Sequence, residues 1–486
     1  MSSITGSESV LADADADPLR SRLAAYPRPA AVWVGVAVLL LLVEAGAVAE
    51  VTLRLLADLL KAIPGAYDPG AVAGLADAAG NVPTLLSRET IPNQGYWNGS
   101  RYVGTFLGLQ PAWAWLVRVS LVYAYAFACL IWAYVGFEWY RTYYRVADWT
   151  PRDDTVDRLR GHTWGLFGLA VVFMFVTMAV FAPALGPTTV DQNLANPYSH
   201  TVQYWTGSEV AEASVGEANL GSQSKGTLQT NVGPWSYDDY GRFHPFGTLP
   251  SGKDLFTFIA AGSRISLVIG LLSVGLSAGI ATVFALLSAY YKGRVDDGLV
   301  LLSDSVMGMP QLLLLIMLSV VLAGTWIGKL YSGAFVLALI FAGTGWPYMW
   351  RSLRGPALQV SEQEWVDAAR SFGQSPGAIM RKHMLPYITG YLLIYGSMTL
   401  GGAIIAIAGL SFLGLGVDPP TPEWGRAVNA GQDYVTTASW HISLIPGLLI
   451  TLVVTGFNAL GDGIRDAIDP ESDSAEGEAG GRGGGA

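Results

Sequence analysis

Cysteine is nearly missing from this chain. Cys129 stands alone in an apolar run, which excludes an internal disulfide and any metal centre built from thiolates. Charge is scarce as well: Asp, Glu, Lys and Arg make up 14% of the 486 residues, where a soluble chain of this length carries about 25%. Histidine is thin, with five residues at 162, 200, 244, 383 and 441 and no His-x-x-x-His pair that would set two ligands on one helical face. No metal site is expected. Of the charges present, the basic ones are fewer, 28 against 38 acidic, for a net charge of −10. That balance argues against a nucleic-acid partner. What replaces charge is apolar: 51% of the residues are hydrophobic, gathered in long runs between short polar segments. The bilayer is therefore the first expected partner.

Runs of about 20 apolar residues predict an all-α integral membrane fold of about eight transmembrane helices. They lie near 30–49, 112–137, 163–185, 264–290, 299–323, 332–350, 388–414 and 440–460. Glu44, Arg118 and Arg264 fall near expected span ends, where long side chains reach out to the interface. Asp304, in the inner half of the fifth span, is the acid singled out as a candidate pathway residue. With a cytoplasmic N-terminus, the inside segments hold seventeen Lys/Arg in 126 residues and the outside segments nine in 170. This asymmetry puts both termini in the cytoplasm of a multi-pass plasma-membrane protein. On the outer side, Glu50, Arg54 and Asp58 form one polar stripe of an interfacial helix over 50–63. Residues 188–253 are expected to form an ordered external loop or cap, and Asn98-Gly-Ser100 is a glycosylation sequon. Gly275-x-x-x-Gly279 on the fourth span predicts close helix packing.

The largest expected cytoplasmic loop, 361–387, is the most legible segment. Ser361-x-x-Glu364 spells a capping box. Trp365, Ala368, Ala369 and Phe372 recur at i, i+3, i+4 and i+7 as one apolar stripe. Gly373 stands where a helix ends in a left-handed residue, and Ser375-Pro376 restarts the chain as N-cap and first-turn proline. A second short helix with Ile379, Arg381, Lys382 and His383 then runs to Leu385-Pro386. A stripe on so short a helix has two uses: it covers the ends of its own bundle, or it docks in the groove of a soluble partner.

These residues resemble a known motif. Asp367-Ala368-Ala369-x3-Gly373-x11-Leu385-Pro386 is similar to the EAA loop of importer permeases in the ABC transporter superfamily, with Asp for the usual Glu. In the dipeptide/oligopeptide/nickel branch, Glu364 to Gly373 resembles E-Y-V-E-A-A-R-A-L-G, and Arg381 to Pro386 resembles F-R-H-I-L-P. His244-Pro245-Phe246-Gly247-Thr248, the run from Ser411 to Gly425, and Asn458 to Pro470 fit the same branch. The resemblance covers about 163–470 and implies a type I importer bundle with its core at 258–462. Its EAA loop (Glu364, Trp365, Asp367, Ala368, Ala369, Phe372, Gly373, His383, Leu385, Pro386) would dock on a separate ATPase chain. The implied partners are a second homologous permease, two ATPase subunits holding ATP and magnesium, and an external solute-binding protein. The cargo would be a di- or oligopeptide, or a small solute such as a nickel chelate. Outside the core the expected division is a tail at 1–31, a two-helix extension at 32–162, a third span with its external loop at 163–257, and a disordered tail at 463–486.

Two rival readings are weaker on chemistry. Gly247-x4-Gly252-Lys253-Asp254 approaches a phosphate-binding loop, but Asp254 replaces the magnesium-ligating Ser/Thr and would repel phosphate. No enzyme activity is expected on this chain. An ATP-independent transporter or channel, the alternative, calls for ionisable clusters at the bilayer centre, and those are sparse here.

Overall fold

The computed structural model of this chain describes residues 18–61, 70–82, 84, 87–145, 150–223, 231–328, 333–417 and 419–468. Of the expected tails at 1–31 and 463–486, the residues before 18 and after 468 lie outside them, while 18–25 and 463–468 are helical. The chain divides into two compact units, one made of residues up to 93 with 104–151, the other of 94–103 with everything from 152 on.

The first unit contains α1 (Pro18–Ala25), α2 (Pro27–Val43), α3 (Ala45–Lys61), α4 (Gly70–Gly80) and α5 (Pro111–Trp139). Prolines at the first turns of α2 and α5 start both helices where an amide would have no partner anyway. α2 and α5 are joined by Trp33 and Trp132, stacked at 4.4 Å. Each indole N–H donates to the other residue's carbonyl, at 3.1 and 3.0 Å. The approach requires Gly136, whose Cβ would sit 2.1 Å from the Trp33 ring nitrogen. Two expectations change here. Arg118 does not reach out to an interface; it is fully buried and donates to the Ile91 carbonyl. Glu44 is buried as well, because α2 ends beside it and the chain turns into α3. The stripe through Glu50 falls on α3, which starts five residues earlier than expected.

The second unit opens with a small hairpin, β1 (Tyr96–Trp97) and β2 (Tyr102–Val103). Its helices begin with α6 (Pro151–Gly161) and α7 (Thr163–Val180). α6 belongs to this unit and not to the extension: Arg158 donates to the Ala467 carbonyl, and His162, the N-cap of α7, reaches Asp466 at 3.0 Å. Between α7 and the long α9 (Leu255–Tyr291) lie hairpin β3 (Thr201–Trp205) and β4 (Val210–Ser214), α8 (Val215–Gly221), and hairpin β5 (Ser236–Tyr237) and β6 (Phe243–His244). The bundle continues as α10 (Gly293–Met307), α11 (Gln311–Ala323), α12 (Ala334–Ser361), α13 (Glu364–Ser371), α14 (Pro376–Ile379), α15 (Leu385–Phe412), α16 (Trp424–Gly431) and α17 (His441–Ile468). α9 is central, packing on α7, α12, α15 and α16. One apolar core gathers around Phe175, Ile259, Trp424 and Phe457. A second surrounds Trp346, Trp350, Leu353 and Ile388 and takes in Val366 and Ala369 of α13.

Among the described residues five helices are long and apolar enough to cross a membrane, or seven if two bent pairs each count as one span. The fifth expected span, 299–323, is one of those pairs: α10 and α11 meet at 81°. The break falls at Gly308-Met309-Pro310, where the ring of Pro310 cannot donate the amide that a continuous helix needs. The expected span at 332–350 is the apolar part of α12, whose far end carries Arg351 and Arg354.

The small-residue stripe on α9 also shifts. A Cβ at Gly275 or Gly279 would meet nothing within 4 Å among the described residues, while Ser266, Ser273 and Ser277 on the neighbouring face are buried. The Ser277 hydroxyl reaches the Ala342 carbonyl of α12 at 3.4 Å.

Candidate functional site

The segment 361–387 forms as helix, glycine turn, helix, with one local difference. Ser361 is not the cap of α13. α12 runs through it, and its hydroxyl donates back to the Leu358 carbonyl at 2.8 Å. Gln363 takes the N-cap position without a side-chain capping bond, its side-chain amide donating back to the Gln359 carbonyl instead, so Glu364 becomes the first residue of α13. The turn that follows is as expected: Gly373 has φ +73°, and the amide of Gln374 donates to the Ala369 carbonyl at 3.1 Å. Ser375 then accepts from the Ala378 amide, with Pro376 at the first turn of α14. The second helix does not stop at Leu385-Pro386. A π turn at Met380–Met384 joins α14 to α15, and the helical path runs without a break from Pro376 to Phe412.

The apolar stripe splits between two faces. Ala369 is 4% exposed and points with Val366 into the bundle, whereas Phe372 is 85% exposed. Fully burying a valine such as Val366 contributes about 1.5 kcal/mol or more, so the inward face holds α13 in place. The outward face is Glu364, Trp365, Asp367, Ala368 and Phe372. The Trp365 ring stacks on Tyr387 at 5.3 Å, which stiffens the helix against α15. Asp367 faces Arg370 at 3.5 Å, and His383 bonds Gln374 across the turn at 3.0 Å. This is a short, rigid helix with one side anchored and the other open.

Asp304 lies apart from this face, on α10, and pairs with Arg351 of α12. Asn98 shapes the β1–β2 turn: its side-chain oxygen accepts from the Ser100 amide, the Ser100 hydroxyl and the Arg101 amide.

A buried polar network escaped the sequence reading. His244 sits between two carboxylates, with Nδ1 2.8 Å from Asp254 and Nε2 3.5 Å from Asp238. Asp254 uses its other oxygen to cap α9 at the Thr257 amide, and its own amide donates to Asn193. Arg242 Nε donates to Asp238 at 2.6 Å. Both neighbours of His244 are carboxylates, an arrangement that favours the doubly protonated ring. Burial works against that charge, yet hydrogen bonds to Asp238 and Asp254 outweigh it and raise the His244 pKa. Burial also opposes charge on Asp238, but His244 and Arg242 prevail and bring its carboxyl down to about 2. The signal available in sequence was the His244-Pro245 motif itself; its partners lie six residues before and ten after. Asp254, which spoiled the phosphate-loop reading, places its carboxylate at the α9 N-terminus where a phosphate would have to bind.

Glu423 is a second buried acid. It caps α16, accepting from the Gly425 amide at 2.7 Å. Burial raises its carboxyl to about 7. No group of three or more His, Cys, Asp or Glu able to hold a metal occurs among the described residues.

Residues 281–473 match the family described as binding-protein-dependent transport system inner membrane component. Residues 150–200 match the N-terminal TM domain of oligopeptide transport permease C. A dipeptide transport system permease protein from Bacillus subtilis is 31% identical over 318 residues, covering 65% of this chain and 85% of that protein. A glutathione transport system permease protein from Escherichia coli is 36% identical over 228 residues, covering 47% and 72%. A dipeptide permease from Alkalihalophilus pseudofirmus is 29% identical over 325 residues, covering 67% and 91%. Among solved structures, an inward-facing MetNI methionine ABC transporter aligns at a TM-score of 0.35 and 19% identity, over 44% of this chain and 96% of that one.

Proposed function

Because this chain belongs to the binding-protein-dependent transport system inner membrane components, we propose that it forms half of the pathway of an ATP-driven peptide importer and is driven through α13. The carrying observation is the open face of that helix, with Phe372 85% exposed on an element whose other side is buried in its own bundle. An aromatic anchor on a fixed helix is what a groove on a partner can grip. The second permease completes the pathway, two ATPase subunits hold the ATP and magnesium, and an external binding protein delivers the solute. The segment 351–387 faces the cytoplasm on this reading, as the Lys/Arg asymmetry indicates. Both termini lie on the same side. The cargo is a di- or oligopeptide, the class to which the substrates named for the similar dipeptide and glutathione permeases belong.

The test is co-purification with the ATPase subunits, joined to ATP-dependent uptake of radiolabelled dialanine in proteoliposomes. Phe372→Ala should cut recovered ATPase at least tenfold while the chain's own melting temperature holds. Undiminished ATPase in that variant would remove α13 as the docking element.

A further inference from the structure

α9 ends at Tyr291, and the chain turns into α10 through Lys292, at φ +50° and ψ −166°, and Gly293, at φ +47°. A lysine in the left-handed half of backbone space is strained, and such a conformation persists only where surrounding contacts over-determine it. Those contacts come from the segment carrying α13. The Arg370 guanidinium lies over the Tyr290 ring, 4.6 Å from its centre, and donates to the Tyr290 carbonyl at 3.4 Å. Lys292 reaches Glu362, in the two-residue joint between α12 and α13, at 3.1 Å. Beyond the corner, α10 is tied to α12 by two further pairs. Arg354 Nε donates to Asp296 at 2.7 Å, and Arg351 donates to Asp304. α10 then makes the 81° bend into α11.

Half-exposed ion pairs add little to stability. What these four contacts do supply is a fixed register. They run in order from α13, through the joint, to α10 and its bend, and none of them depends on the chain connecting those elements.

We propose that Arg370 and the Lys292–Glu362 pair are positioning residues that clamp the α9–α10 corner to α13. Displacement of α13 is thereby passed sideways to α10 and the broken α10–α11 span, as well as along the chain into α15. The inference rests on α13 being the docked element. It assigns Arg370, on the anchored side of that helix, a transmitting role distinct from docking. Lysine at 370 would keep the charge but lose the planar face that lies on Tyr290.

The experiment has a static and a functional arm. In a Cys129→Ser background, nitroxides at Arg294→Cys on α10 and Ser371→Cys on α13 report the helix separation by double electron–electron resonance in nanodiscs. The otherwise unaltered chain should give one narrow distance distribution. Arg370→Ala with Lys292→Gln should broaden it, and Arg370→Lys should fall between the two. An equally narrow distribution in the double variant would overturn the clamp. In the assembled complex, Arg370→Ala should keep ATPase recovery within twofold while ATP-driven dialanine uptake falls at least tenfold; uptake within twofold of the parent would also overturn it. Phe372→Ala, which removes docking, separates the two ideas. If the unaltered chain recovers no ATPase, the docking reading fails, and the distance measurement on the chain alone still decides whether the corner is clamped.

Discussion

Two single side chains set the expected response to pH, in different windows. His244 has a raised pKa, so its contribution to stability is fully present below the free-imidazole value of about 6.5 and is lost as pH rises through the raised one. The segment between α7 and α9 should therefore loosen on the alkaline side. Melting of the chain in nanodiscs should fall as pH rises above the free-imidazole value, and a His244→Gln variant should show no such slope. Identical slopes would exclude the imidazolium. Glu423 acts lower. Its carboxyl, raised from 4.5 to about 7, costs stability as pH climbs between those values, on the order of 3 kcal/mol in total. Glu423→Gln should be more stable than the parent at pH 8 and near parity at pH 5, measured by the same melts. Asp238, held near 2, contributes to neither window, because it is ionised throughout both.

At the scale of the element, α13 has two faces with different consequences. Ala369→Arg would bury an unpaired guanidinium beside Val366 and should cost about 3 kcal/mol or more, seen as lost melting temperature in the isolated chain. Phe372→Ala should change that temperature little, since an exposed substitution stays within about 0.5 kcal/mol. Docking is thus tested at Phe372 and not at Ala369. Gly373→Val should cost at least 1–2 kcal/mol or so, because φ +73° brings Cβ against the following carbonyl; melting reads the cost and ATPase recovery its effect on the helix–turn–helix. Much of this element was legible in sequence. The glycine stop and the Ser375-Pro376 start are decided within four residues of themselves. The capping box at Ser361 failed for a reason further away: α12 continues through it, so the hydroxyl already bonds Leu358. The stripe was read as one apolar face, and periodicity alone could not say that Ala369 faces inward with Val366 while Trp365, Ala368 and Phe372 face out.

For the whole molecule, the two compact units part near residue 151, and the family match begins at 150. A chain starting at Arg152, with a new initiator methionine, should insert in membranes and keep the melting transition of the second unit, because α6 and α7 find their partners at Asp466 and Ala467. Loss of a cooperative transition in that truncation, followed by tryptophan fluorescence on heating, would show that the second unit depends on the first or on its own hairpin at 94–103. The first unit carries its own helix pairing through Trp33 and Trp132.

Sequence by itself determined the membrane class, the helical character and the glycine-hinged helix pair at 361–387. Each rests on composition or on chemistry between near neighbours, which the chain carries wherever it folds. Tertiary structure decided the rest: the pairing of Asp304 with Arg351, 47 residues away, the seat of Arg370 on Tyr290, 80 residues away, and the burial of His244 between two carboxylates. The first two depend on which helices pack side by side, and the third on how the loop before α9 folds over its N-terminus. Packing is settled by the summed fit of many side chains, and no local spacing encodes it.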